Sequence, residues 1–592
     1  MKKTFGIKLA VLVFVMITAL ILVAACGDDG GGGTPSQGTT GESGTTQDTS
    51  GGNEGTTSEP AQEVSKITGM STYGGNAVSV QQATWFTDIL RDEIGVELDF
   101  LDTSGADMEQ LVMALKAARD LPDIICFAAA TDLNNAAEAG LLLNMDDHQD
   151  KLPDVYGEHF QHAVAFYRDH RNGGREGLYG MPTGVGRQHH INYNFHLRWD
   201  LYQAVGAPTI DSLEAYLPVL KQMMEHYPET ADGHRTYGLS IFPEWDGNNM
   251  LFAAALSGTY GWDSEYVNPL VEVQVDGSGD PRSILDENST YMRFVRFFYN
   301  ANQMGVLDPD SATQTWPTVE DKYKQGRVFL SPWSWAIGGY NVLENIDVEN
   351  FTGYQPVWAD DFRVAIYPDS PTGRDWSMSM SADPTNLDGA LRYFNFMYSF
   401  NGMDIVMNGP QGVLWDVDAS GVRYRTEQGW NILQNDLELP GGGKLGDAFN
   451  IINNMTISND TINPASGQPM SSDKWDDVIG YEPTRLVADW RAKNDGFLDS
   501  LARGEALGLT IKSHPATHMV APVPEDMQIT MASIGNIIQT NSWLMVYASS
   551  EAEFDQIWRD TVERTNAMGI DEIIEWSTRE WAVAKENANK YR

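Results

Sequence analysis

From residue 65 onward the apolar positions change period repeatedly. KITGMSTYG (66–74) reads as a strand closed by a glycine turn, and VELDFLDT (96–103) alternates as a half-buried strand does. Between them, within 84–95, Trp85, Ile89 and Ile94 recur at helical spacing, and Gly95 suits the helix end. DMEQLVMALKAARD (107–120) reads as a helix with Leu111, Met113, Leu115 and Ala118 turned inward. LPDIICFAAA (121–130) is a short buried strand, and DLNNAAEAG (132–140) is a helix capped by Asp132 and closed by Gly140. Such alternation predicts an α/β fold, a mainly parallel sheet flanked by helices.

The chain ahead of this pattern is different. Lys2, Lys3 and Lys8 precede an uncharged apolar run over residues 9–25, which ends in Val-Ala-Ala-Cys at Cys26. A basic start and an apolar stretch match a secretory signal, and the length also allows a membrane helix. Residues 27–64 are Gly, Ser, Thr, Asp, Glu and Gln with almost nothing apolar. Such a segment buries too little surface to fold and is expected to act as a disordered tether, 26–65, that holds a folded body off a membrane.

Composition narrows the partners. Lys and Arg total 39 against 82 Asp and Glu, a formal charge of −43. Nucleic-acid binding is excluded by this balance, because phosphate neutralisation needs basic patches. Only two cysteines occur, Cys26 and Cys126, so no disulfide framework is expected, and Cys126 in its apolar run reads as a buried thiol. The folded remainder exceeds what one core supports, which predicts at least two lobes. No second low-complexity linker separates them, so the chain is expected to interleave between lobes.

Several segments together carry a family resemblance. Val-Ala-Ala-Cys looks like the lipobox of bacterial lipoproteins, which implies cleavage before Cys26 and acyl chains on it, anchoring the protein on the extracytoplasmic face of a cell membrane. LPDIICFAAATDLNNAAEAGLLLNMDD (121–147), GLYGMPTGVGRQHHINYNFHL (177–197), RWDLYQAVGAPTIDSLEAYLPVLKQM (198–223), GVLDPDSATQTWPTVEDKYKQGRVFLSPWSW (305–335) and SADPTNLDGALRYFNFMYS (381–399) occur in the order that resembles ABC-transporter extracellular solute-binding proteins of the maltose-binding type. GPQGVLW (409–415) and the helical segment 554–582 resemble the large lipoprotein members of that group. The resemblance implies a two-lobed, type 2 periplasmic-binding-protein-like fold over 66–592 with extra C-terminal helices. It places lobe 1 at about 66–188 and 360–412, and lobe 2 at about 189–359 and 413–592. It also implies a non-enzymatic, monomeric receptor that needs no cofactor and hands a carbohydrate to a permease. Peptide or another polar solute is the alternative cargo, and a surface glycoside hydrolase the rival class. A long stretch at 416–500 and an insertion around 262–290 depart from the family pattern.

A sugar presents C–H faces that pack on aromatic rings and a hydroxyl rim that needs planar polar partners. Sites for such ligands sit where parallel strands end. Trp333 and Trp335 follow the strand GRVFL, and alternation puts both on one side of an extended segment. The resemblance gives Trp333 a ligand-stacking role. Glu244, Trp245 and Asp246 follow the strand YGLSI, near a contact of the maltose-binding type. Phe127 follows DIIC, Asp132 lies just beyond it, and Trp85 opens the first helix; Trp376 and Trp415 occupy loop-like positions. For each aromatic the competing role is core packing, and for Asp132 it is the helix cap. Arg198 and Asp200, adjacent opposite charges at a helix start, read as structural.

DVDASGVRYRTE (416–427) matches the spacing of a calcium loop, with Asp416, Asp418, Ser420 and Glu427 as oxygen donors. Its flanks read as strands, which makes a hairpin turn the expected structure. His514 and His518, and His189, His190 and His196, lack a clear third ligand and read as packing histidines, so no metal is expected. No P-loop, dinucleotide fingerprint or nucleophile elbow is present.

Overall fold

Strands that frame the molecule are β1 (Ser65–Ser71), β2 (Val96–Phe100), β3 (Ile124–Phe127), β4 (Met181–Pro182), β5 (His196–Arg198), β6 (Leu330–Ser331), β7 (Tyr354–Pro356), β8 (Val364–Ile366), β9 (Ser377–Met380) and β10 (Thr510–Lys512). The computed structural model describes residues 64–591 apart from 73–83, 102–113, 116, 192, 265–266, 375, 453–454 and 482. Cys26, the apolar run before it and the tether lie outside the described residues, as does most of the 107–120 helix.

The first sheet has the order β2-β1-β3-β9-β4. β1 pairs parallel with β2 and β3, while β9 runs against both of its neighbours. The helices expected after β1 and β3 form at Thr84–Ile94 and Ala130–Glu138, and Gly95 (φ 61°) and Gly140 (φ 68°) take the left-handed turn that ends each. Asp132 is not the cap of the second helix. That helix begins two residues earlier with Ala129 as its N-cap, and Asp132 stands in its first turn, where its charge faces the helix dipole.

The second sheet repeats this plan. β5 pairs antiparallel with β7 and β6. Beyond β6, parallel bridges add residues 237–239 and then 306–308, at Tyr237↔Val328 and Leu239↔Leu307. Each sheet is thus mainly parallel with one reversed strand, and in both cases the reversed strand enters from the other sheet.

That reversed strand fixes where the cleft lies. β5 begins at His196, opposite Ser331 at the carboxyl end of β6. β9 begins at Ser377, opposite Phe127 at the carboxyl end of β3. The connecting segments therefore reach both sheets at the carboxyl ends of their parallel strands, and these two edges face the hinge. In the hinge Gly186 and Ser370 exchange two backbone hydrogen bonds of 2.9 Å, Ile191 bridges Ile366, and β8 pairs parallel with β10. The Lys512 Nζ donates to the Gln188 carbonyl at 3.0 Å, joining the third crossing segment to the first.

Two hydrophobic cores match the two sheets. One gathers Ile67, Phe86, Leu98, Ile125, Phe127, Met378 and Phe394; the other gathers Leu197, Tyr216, Leu239, Phe298, Phe329 and Trp333. Leu414, Trp415, Ile432 and Trp475 pack into the first core, although the sequence reading placed 413–592 with the second lobe. A buried ion pair holds this segment there: Arg423 Nη1 donates to both Asp404 oxygens at 2.6 and 2.7 Å, with the guanidinium 4.5 Å from the Trp475 ring centre. The C-terminal helix Ile570–Lys590 serves both cores, giving Ile570 and Ile573 to the second and Trp581, Ala584 and Ala588 to the first. The insertion around 262–290 forms a three-stranded antiparallel meander. Cys126 is buried in β3, and desolvation pushes its thiol up to about 12.

Arg198 and Asp200 are structural, as read. The guanidinium donates to Asp200 at 3.0 and 2.8 Å and to the Gly326 carbonyl at 2.8 Å, over the Tyr340 ring. Among the described residues no helix is long and apolar enough to cross a membrane.

Candidate functional site

Three parallel segments of the second sheet each end in a turn that delivers tryptophan to the hinge-facing edge. Residues 237–239 lead to Trp245, residues 306–308 lead to Trp316, and β6 leads to Trp333 and Trp335. The four rings form one array. Trp333 and Trp335 stack at 5.0 Å between centroids with 26° between planes, and Trp316 meets Trp335 edge-on at 4.9 Å. Trp245 lies 5.4 Å from Trp316, 6.0 Å from Trp333 and 6.2 Å from Trp335. Phe242 and Phe252 pack beneath, at 4.8 Å from Trp245 and 5.2 Å from Trp333.

Exposure divides the array. Trp333 is 4% exposed and belongs to the second core, whereas Trp335 is 51% exposed. The segment between them is not extended, because Ser334 adopts helical angles and Trp335 opens a short 3-10 turn. The two rings nevertheless meet face to face, so Trp333 supports Trp335 from below. Trp245 and Trp316 are half-buried.

The acids here have distinct tasks. Glu244 is exposed, and its Oε2 accepts the Trp316 amide at 2.7 Å, at the start of helix Trp316–Lys324. It ties the Trp245 turn to the Trp316 turn and places negative charge at a helix N-terminus. Asp246 accepts the Leu251 amide at 2.8 Å and the Trp543 indole N–H at 2.7 Å. Both of its oxygens are engaged, so it braces the turn instead of offering an acceptor to solvent.

Burial pushes the Asp246 carboxyl up to about 6, against the opposing pull of its donors. A raised native pKa means that the folded state holds this proton more tightly than the unfolded chain. The resulting stability is complete below about pH 4 and is lost as pH rises through about 6. Asp246→Asn should therefore flatten the stability slope between pH 4 and 7. Melting temperatures of both proteins across that window check this: the lost acceptor adds a constant offset, and only the slope reports the titration.

The remaining candidates fall elsewhere. Trp376 directly precedes β9 and is half-buried at the hinge-facing edge of the first sheet, where its carbonyl accepts the Thr183 amide at 2.8 Å. Phe127, expected as a platform, is 2% exposed, because the last residue of β3 points into the first core. Trp85 is 3% exposed, and its indole N–H donates to the Lys444 carbonyl at 3.1 Å. Trp415 is 8% exposed, bonded to the Gly409 carbonyl and packed edge-on to Trp475. These three serve the core in this structure. Asp132 is half-buried in its helix.

The calcium-like stretch is a hairpin. Trp415–Val417 pairs with Arg423–Arg425, and Asp418 Oδ1 accepts from Ser420 and Val422 across the turn, with Gly421 at φ 85°. Glu427 has left the loop to open helix Glu427–Gln434. Among the described residues no group of three or more His, Cys, Asp or Glu is placed to hold a metal ion. His196 and His518 are buried, and desolvation holds them down to about 4 and about 3, so they are neutral packing groups.

Trp316 escaped the sequence reading. Its signal was Thr-Trp-Pro just beyond the strand at 306–308, where Pro317 sits in the first helical turn.

No protein-family model and no curated protein matches the chain. Solved structures do. The Streptococcus pneumoniae ABC-transporter substrate binding protein FusA in complex with kestose aligns with TM-score 0.60 at 15% identity, covering 88% of this chain and 100% of that one. The HMO-binding ABC-transporter-associated solute binding protein from Bifidobacterium longum infantis gives 0.56 at 15%, covering 88% and 99%. The alginate-binding protein AlgQ2 gives 0.57 at 13%, covering 88% and 98%. With its two mainly parallel sheets, each entered by one reversed strand at the hinge-facing edge, the chain has the fold of the two-lobed ABC-transporter extracellular solute-binding proteins.

Proposed function

We propose that this protein is a receptor that captures an oligosaccharide between its lobes and delivers it to the membrane subunits of an ABC importer. The observation that carries the proposal is the tryptophan array at the carboxyl edge of the second sheet, with Trp335 half-exposed and backed by Trp333. An indole face of this kind suits the C–H face of a sugar ring, and a buried ring behind it keeps the platform rigid. The structurally similar proteins named above are a kestose complex, an HMO-binding protein and an alginate-binding protein, which supports the cargo class. Closure of the lobes follows from the ligand's better fit to the closed state.

The lipid anchor at Cys26, the placement on the extracytoplasmic face of the membrane and the non-enzymatic role complete the proposal. The first two rest on the Lys-rich start, the apolar run and the Val-Ala-Ala-Cys junction. Titration of the protein with a panel of neutral oligosaccharides, followed by tryptophan emission, should find a ligand of micromolar or tighter affinity that quenches the signal. A panel without a binder overturns the proposal, and hydrolysis of the bound glycan by the purified protein would put a glycoside hydrolase in its place.

A further inference from the structure

We propose that the cleft selects glycans without acidic groups and gains affinity from an amino sugar, so that uronic-acid oligomers are rejected; this rests on the receptor function proposed above. The inference comes from the charges that share the edge with the tryptophan array. The turn after residues 237–239 carries Glu244 and Asp246, and the segment 306–308 ends in Asp308 with Asp310 in the turn that follows. The turn after β6, residues 332–342, carries no charge at all.

The cation among these turns, Lys322, is already taken. Its ammonium is buried and donates to Asp308 at 2.6 Å, Gln314 at 2.8 Å and Asp310 at 3.3 Å. Lys324, at the far end of the same helix, pairs with Glu320 at 3.0 Å. On the hinge, Arg374 donates to Gln188 and lies over the Tyr367 ring, and Lys512 reaches Gln188 and Asp369. Arg187 stands exposed there, as the cation an acidic ligand would have to find.

Among the described residues of these three turns, a carboxylate brought against the indoles would lose water without meeting an unpaired cation, which is costly in a closed cleft. A protein of charge −43 also repels an anion on approach. An ammonium has the opposite prospects: indole faces attract it, and the exposed Glu244 lies beside them. One of the similar folds is the alginate-binding protein AlgQ2, so the fold leaves ligand charge open and the edge residues decide it.

The test is a panel of neutral, amino and uronic oligosaccharides matched in length and linkage, for example cello-, glucosamine and glucuronate β-1,4 oligomers. Binding to the full chain is measured by tryptophan emission and calorimetry at low and high salt. The tightest ligand should be neutral or amino-bearing and bind at least about tenfold more tightly than its uronate counterpart, and salt should narrow the gap. Glu244→Gln, which keeps an acceptor for the Trp316 amide, should reduce the ratio of amino to neutral affinity several-fold, whatever its effect on either affinity alone. A uronate bound as tightly as its neutral counterpart overturns the charge assignment alone, and loss of that binding in Arg187→Gln would name the cation responsible. A panel in which no member binds overturns the receptor function and this inference together.

Discussion

Trp335→Ala should weaken oligosaccharide binding by about 30- to 100-fold, or about 2–3 kcal/mol, while the melting temperature stays near that of the parent. The split follows from exposure. Trp335 leaves 51% of its surface to solvent, so its removal opens no core cavity, yet it takes away the upper face of the array. Trp333 supplies the control. At 4% exposure it packs on Phe252 and Trp335, so Trp333→Ala should lower stability and affinity together. Trp335→Tyr keeps a flat ring of smaller area and should recover part of the binding. Calorimetric titration and thermal denaturation of the three variants check all of this. Full affinity in Trp335→Ala would remove the exposed indole from the binding surface, and the proposed site with it.

Periodicity made the first sheet legible because local pattern and tertiary role agree there. β1, β2, β3 and the helices Thr84–Ile94 and Ala130–Glu138 follow the alternation expected of a parallel layer, and Gly95 and Gly140 end those helices where only a left-handed turn serves. What the pattern could not supply was direction. Phe127, Trp85 and Trp415 are aromatic, near turns and close to strand ends, as a ligand platform would be, yet the packing of neighbouring helices turns each ring inward. Asp132 carries the right side chain for a cap, but Ala130 and Thr131 ahead of it are already in the helix, so the cap falls on the extended Ala129. Conversely, Trp316 joins the site only because residues 306–308 pair with 237–239, a contact between distant segments that no local window contains. The packing of Leu414, Trp415, Ile432 and Trp475 on the first core depends likewise on Arg423, on the second strand of the hairpin, meeting Asp404 on the helix Phe400–Asn408.

Lys322→Met should cost about 3–5 kcal/mol of stability and weaken glycan binding as well, although Lys322 is buried and touches no ligand surface. Its ammonium is the counter-charge of Asp308, whose side chain is fully buried and also accepts from Ser240 at 2.7 Å. Removing it strands a carboxylate in the second core, which is the expensive way to break a buried pair. The affinity loss has a different route. Lys322 and Trp316 lie on the same helix, Trp316–Lys324, and the Lys322–Asp308 contact ties that helix to the end of the sheet. A loosened helix lets Trp316 drift from Trp335 and from the Glu244 oxygen that holds its amide. Lys324→Met is the matched control, because its pair with Glu320 is exposed and contributes about 0–1 kcal/mol. Chemical denaturation should therefore separate the two lysine variants by several kcal/mol, and only Lys322→Met should lose affinity. Restoration of stability in Lys322→Met/Asp308→Asn, which removes the stranded charge, together with a persistent binding defect, would show that the ion pair has two separable roles, one in the core and one in placing the Trp316 ring.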